Sequence, residues 1–214
     1  MTARALLAAA LLALCAGPAL GGGPRDDALA ALRDTGDVEA RRRGARLLAE
    51  SGTMADLPLL AQALRDPDGT VRGFAEAAMW SVWSRSGDPE IDKLFDLGVM
   101  QMSDRRLVPA IRTFTLIIER KPEFAEGWNK RATVYFLLGE FDKSLADCNE
   151  VMKRNPYHWG ALSGYGMIYM QESRLGQALA YFEKAIAVNP NLAQVQETIE
   201  MLKALLIQRR KDMI

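Results

Sequence analysis

Pro122, Pro156 and Pro190 stand 34 residues apart, each directly after a lysine or an asparagine. The same shift superposes Gly98 on Ala132 and Gly166, Ala110 on Ser144 and Ala178, and Phe114 on Cys148 and Phe182. Self-similarity at a fixed period restricts a chain to units that bury their apolar faces only against their neighbours. Within the unit from Ala125 to His158 each register has a local physical reason. Ala132, with its small equivalents, allows two helices to approach closely. Trp128 and Tyr135 lie seven residues apart, two turns along one helix face, and fill the space between helices. Gly139 sits where a turn needs a positive φ, which glycine adopts cheaply. Pro156 is expected in the first turn of the following helix, where a missing N–H costs little.

Trp128, Ala132, Tyr135, Gly139 and Pro156 stand at the signature places of the tetratricopeptide repeat, and the chain resembles that family over about 120 residues. The resemblance implies an all-α, right-handed α-solenoid of stacked antiparallel helix pairs, with units at 91–124, 125–158 and 159–192. The first unit has Gln101 where the family carries tyrosine, and the third has Leu162 in place of tryptophan. Residues 193–211 read as a closing helix, with Val195, Ile199, Leu202, Leu205 and Leu206 on one face.

Between Pro24 and Asp88 a looser repetition occurs. Leu32-Arg33-Asp34 returns as Leu64-Arg65-Asp66, and Ala40-Arg41 as Val71-Arg72. Residues 24–88 resemble the short HEAT-like repeats of phycobilin-lyase-type and other bacterial scaffold proteins. The lyase activity is not carried over, because no residues that perform it are identified. The turn Asp66-Pro67-Asp68-Gly69 predicts a helix stop followed by an N-cap at Thr70. Gly87-Asp88-Pro89 marks the boundary with the first unit. Without a long Ser/Gly linker the two sections are expected to run on as one superhelix, with Trp80 and Trp83 buried against Leu94 and Leu97.

Residues 1–22 have the layout of a secretory signal peptide: one positive charge before an apolar run from Ala5 to Ala16, then Pro18 and small residues. The run is shorter than the roughly 20 residues that span a bilayer. The expected location is therefore exported, in the periplasm or another exported compartment, with no integral membrane span in the mature chain. Cleavage leaves Cys148 as the only cysteine, so no intramolecular disulfide forms, and its repeat register makes it a small packed residue. With one histidine, His158, no His-based metal cage or catalytic dyad can be assembled. No cofactor is expected. A formal net charge of zero gives nucleic acid no electrostatic reason to bind.

The family resemblance implies that the first helix of each unit lines a concave groove that accepts a protein or peptide ligand. On that face stand Phe95, Val99 and Met102, then Asn129, Thr133 and Phe136, then Ser163, Met167 and Met170. Met102, Phe136 and Met170 share one register, a soft apolar row that needs covering, either by a ligand or by the chain's own flanking helices. Asn129 is in the place of an asparagine that binds ligand backbone in relatives. The lysine-and-asparagine clamp that grips C-terminal carboxylates is not expected, given Phe95, Val99, Gly160 and Gly164. Phosphate loops, Cys/His pairs and serine elbows are missing, and Gly164-Tyr165-Gly166 falls inside a first helix, where close packing explains it. The function expected is thus a non-catalytic binding adaptor or scaffold. A self-associating envelope subunit is the alternative, with an enzyme or lyase accessory a third reading.

Overall fold

The computed structural model describes residues 23–211; the signal-peptide reading of residues 1–22 lies outside the described residues. The described chain is all-α, with eleven α-helices, one short 3-10 turn and no strand. The N-terminal section comprises α1 (Pro24–Arg33), α2 (Val38–Ser51), α3 (Leu57–Ala63) and α4 (Gly69–Ser84). Three antiparallel pairs follow: α5 (Pro89–Ser103) with α6 (Leu107–Arg120), α7 (Ala125–Leu137) with α8 (Phe141–Arg154), and α9 (Trp159–Gln171) with α10 (Leu175–Val188). Helix α11 (Ala193–Lys211) packs on α10 and closes the stack.

Local chemistry starts and stops these helices. Asp37 caps α2 by accepting from the N–H groups of Glu39 and Ala40, and Asp88 caps α5 in the same way, with Pro89 in its first turn. Asp68, not Thr70, caps α4: its carboxylate accepts from Val71 N–H, so the helix begins two residues earlier than the turn pattern suggested. Pro156 likewise lies in the turn after the C-cap Asn155 rather than inside α9, which starts at Trp159. It ends one helix instead of opening the next. The turns within the three pairs repeat a left-handed residue at Arg105, Gly139 and Ser173, with φ of 58°, 74° and 59°. Only the middle one is glycine.

Inside each pair the small register faces the aromatic register. A Cβ placed on Gly98 would lie 2.6 Å from the Phe114 ring, and one on Gly166 2.7 Å from the Phe182 ring. The middle pair solves the same packing problem with different sizes, Ala132 against Cys148, and both are buried. Gln101, in the tyrosine place, is buried and accepts from Thr113 Oγ1 at 2.8 Å. Within its own pair Arg131 makes a two-pronged bond to Asp147 at 2.8 Å, and it reaches across to donate to Thr115 of the preceding pair.

The N-terminal section does not continue the superhelix. Its core of Leu48, Leu60, Leu64, Val71, Met79 and Val82 merges with Trp159, Leu162 and Ala185, at the edge where one pair connects to the next. Arg65 donates to the carbonyls of Ala187 and Val188, while the Asn191 amide donates to Leu64 O at 2.9 Å and Asn191 Oδ1 accepts from Arg72 Nε at 3.0 Å. Trp80 and Trp83 accordingly do not meet Leu94 and Leu97. They close on His158 and Trp159 instead. The physical reason is the turn at Gly87, whose φ of 79° redirects the chain between α4 and α5, so that the apolar surface of α4 finds its cover on α9. The start of the stack is consequently open. Met100 is 52% exposed, while Val134 and Ile168, one and two repeats on in the same register, are fully buried beneath a preceding pair.

Candidate peptide-binding groove

Helices α7 and α9 flank a cavity of about 110 Å³ on the concave face. Asn129, Thr133 and Phe136 of α7 and Met167 of α9 line it, so four of the nine groove residues expected from sequence come together. The remaining wall was not anticipated: Ala132, Ser144, Cys148, Gly160, Ala161 and Gly164. The signal for it was present in the register. Cys148 stands where the other pairs carry phenylalanine, and Gly160 and Gly164 leave the facing helix without side chains. Small residues on both sides leave a space that a phenyl ring fills elsewhere. A Cβ on Gly164 would meet Cys148 Sγ at 3.5 Å, ordinary contact, so this glycine widens the cavity rather than relieving a clash.

The first unit contributes differently. Phe95 is buried, 6.2 Å from the Phe114 ring and 5.5 Å from Phe124, and Val99 and Met102 are half-buried in the same cluster. Met170 is half-buried against Ala178, Phe182, Ile199 and Leu202, a cluster that the closing helix helps to build. Phe136 leans on Phe141, with ring centroids 5.8 Å apart. The row Met102, Phe136, Met170 is thus half-covered by the chain's own packing. The exposed methionine of this face is Met167, at 44%. Ser163 is half-buried, and Thr133 is exposed with its hydroxyl donating to Asn129 O at 2.9 Å.

Beneath the groove lies a buried polar chain that no sequence signal indicated. Glu126, in the first turn of α7, is fully buried, as is His158, the residue before α9. His158 Nδ1 accepts from Ala161 N–H at 3.0 Å, so the ring proton is on Nε2, which donates to Glu126 Oε1 at 2.5 Å. Glu126 Oε2 accepts from Asn129 Nδ2 at 3.0 Å, with Lys130 Nζ at 3.8 Å. Burial alone would raise this carboxyl; His158 beside it, Lys130 and the Asn129 amide outweigh burial and hold it below the usual carboxylate range. The positive end of α7 favours a carboxylate there as well. Trp83 stacks on the His158 ring at 4.6 Å and 21°, and Trp80 meets it edge-on at 5.8 Å. The lone histidine is thus the joint between the N-terminal section and the repeats.

Nothing in the groove is arranged as a nucleophile. Burial and the neighbouring Asp147 push the Cys148 thiol up to about 12, which leaves it protonated and unreactive at neutral pH. Among the described residues no group of three His, Cys, Asp or Glu side chains is placed to hold a metal, and no helix is long and apolar enough to cross a membrane.

Two family models, each described as Tetratricopeptide repeat, match residues 125–158 and 159–192 respectively. A TPR repeat-containing protein of Rhizobium etli is 31% identical over 138 residues, an alignment spanning 64% of this chain and 67% of that one. Among solved structures, the first TPR of Spaghetti (RPAP3) bound to the HSP90 peptide SRMEEVD superposes with a TM-score of 0.52 at 21% identity, covering 55% of this chain and 93% of that chain. The Sgt2 TPR domain of Aspergillus fumigatus gives 0.54 at 22%, covering 58% and 83%. At such identities the two structures speak for the fold alone. The repeat register, the stacked pairs and these matches together place the chain in the tetratricopeptide repeat family.

Proposed function

We propose that this chain is a non-catalytic adaptor that holds an extended segment of another protein in its concave groove. The observation that carries the reading is the cavity between α7 and α9, apolar on most of its wall and bordered by the Asn129 amide. Its volume of about 110 Å³ suits one aliphatic side chain rather than a whole small molecule. A peptide lying across α7 and α9 would place one such side chain against Met167 and Phe136, with its backbone over Asn129. The solved relative bound to an HSP90 peptide uses the same fold for a peptide ligand. A C-terminal carboxylate is not the ligand favoured here, because Phe95 is buried in the first unit's core and Gly160 and Gly164 offer no cation.

The place of action proposed is the periplasm or another exported compartment, a reading supported by the signal-peptide layout of residues 1–22. The test is an array of immobilised, end-blocked peptides graded in aliphatic content, probed with the protein and with Met167→Glu. The wild-type chain should retain the aliphatic peptides, and the variant should lose about tenfold in affinity with its helicity intact, since placing a charge against an apolar ligand side chain costs on the order of 1.4 kcal/mol or more. Equal retention by both proteins removes the cavity from consideration.

A self-associating subunit is the second reading, favoured by the open start of the stack, where Leu97 is 38% and Met100 52% exposed. Lys93 opposes it: this charged residue stands where the later pairs have Gly127 and Ala161, both buried against the preceding pair. Light scattering across a concentration series separates the two readings.

A further inference from the structure

We infer that the N-terminal section fixes the orientation of Asn129, so that the groove offers a hydrogen-bond acceptor to a backbone N–H of its ligand. The inference rests on the groove reading above and adds what the groove selects. Four contacts connect the section to the cavity. Trp83 of α4 stacks on His158; His158 donates to Glu126 Oε1; Glu126 Oε2 accepts from Asn129 Nδ2; Asn129 lines the cavity. All of these side chains except the rim of Asn129 are withdrawn from water.

The chemistry at each step has one sense. His158 Nδ1 is occupied as the cap of α9, so only Nε2–H can face Glu126. A carboxylate accepts and does not donate, so Asn129 must turn its NH₂ toward Glu126 and its Oδ1 away. Among the described residues no protein group donates to that Oδ1. An asparagine without a buried carboxylate behind it could present either end of its amide, and would read a ligand carbonyl as readily as a ligand N–H. Glu126 removes that freedom, and Trp83 with Trp80 holds the imidazole that holds Glu126. The docked section is therefore part of the binding apparatus, although it contributes no residue to the cavity wall. Asn129 is the contact residue; Glu126, His158 and Trp83 are positioning residues.

The experiment uses the full-length chain. Side-chain amide resonances of Asn129 are followed by NMR without ligand, in the wild type and in Glu126→Gln, Trp83→Ala and Trp83→Phe. The wild type and Trp83→Phe should show an Asn129 amide shifted by its carboxylate partner and slow to exchange with solvent. Glu126→Gln and Trp83→Ala should move it toward a free amide, with exchange at least tenfold faster. If neither variant changes the shift or the exchange, the positioning inference is overturned, whatever the ligand proves to be. The second arm measures acetyl-Gly-Leu-Leu-Gly-amide against the same peptide N-methylated on both leucines. About tenfold preference for the unmethylated peptide is expected, falling toward unity in Glu126→Gln. A peptide that binds equally in both forms overturns the acceptor assignment. Should neither peptide bind, the groove reading fails while the NMR arm still decides the relay.

Discussion

Replacing Cys148 by phenylalanine tests whether the cavity is a consequence of residue size alone. In the first and third pairs the ring at this register lies so close to its glycine that an added Cβ would sit 2.6–2.7 Å from it, about 1 Å inside the usual 3.5–4.0 Å carbon contact. The middle pair already carries that Cβ, on Ala132. Cys148→Phe alone should overpack the pair, costing about 1–3 kcal/mol, because the ring must leave its preferred rotamer and push into the cavity. Ala132→Gly alone should cost about 1 kcal/mol in helix propensity plus about 0.8 kcal/mol for the methyl removed from the core. Together the two recreate the glycine–phenylalanine match of the neighbouring pairs. The double variant should stand within about 1 kcal/mol of the wild type, a coupling of roughly 2–3 kcal/mol in favour of the pair. Urea titrations followed by circular dichroism read all four corners of the cycle. The double variant should also bind no aliphatic peptide, since the ring now fills the space while the fold is restored. Additive destabilisation, or peptide binding that survives the double change, would refute the idea that small side chains at 132, 148 and 164 create the site.

Two further outcomes follow from single positions. Ser173 holds a φ of 59° in the turn of the third pair, a conformation that costs an L-residue about 1–2 kcal/mol. After the entropy that glycine adds to the unfolded chain, Ser173→Gly should still raise stability by about 0.5–1 kcal/mol; a lower urea midpoint contradicts this. The Cys148 thiol titrates near 9.0 in an unfolded chain and is raised to about 12 by burial. The folded state keeps its proton where the unfolded state loses it, so this contribution is fully present below pH 9 and disappears as pH climbs toward 12. Cys148→Ala should flatten that alkaline slope, and iodoacetamide should label the wild-type thiol at neutral pH only as fast as the protein opens.

The repeat period was legible in the sequence because each register is a steric demand repeated at a fixed distance. Small faces aromatic in the first and third pairs, and a proline recurs between pairs; the left-handed turn is glycine only at Gly139, and that Pro156 ends α8 instead of opening α9 is seen only in the structure. The composition of the middle pair was legible too, since Cys148 visibly interrupts the run of phenylalanines. What the sequence could not show is where the N-terminal section docks. A solenoid built from period alone predicts continuation, and the turn at Gly87 instead folds α4 onto α9. That choice is made by the total apolar surface covered, a sum over residues far apart in the chain, and no local pattern carries it. The same docking turns His158, by sequence a solitary histidine, into the joint of a buried relay from Trp83 through Glu126 to Asn129. Packing rather than register likewise leaves Met102 half-covered in the first pair's own core and Met170 half-covered under the closing helix, while Met167 faces the groove: position along a helix assigns a side chain to a face, but only the packed neighbours decide how much of that face reaches solvent.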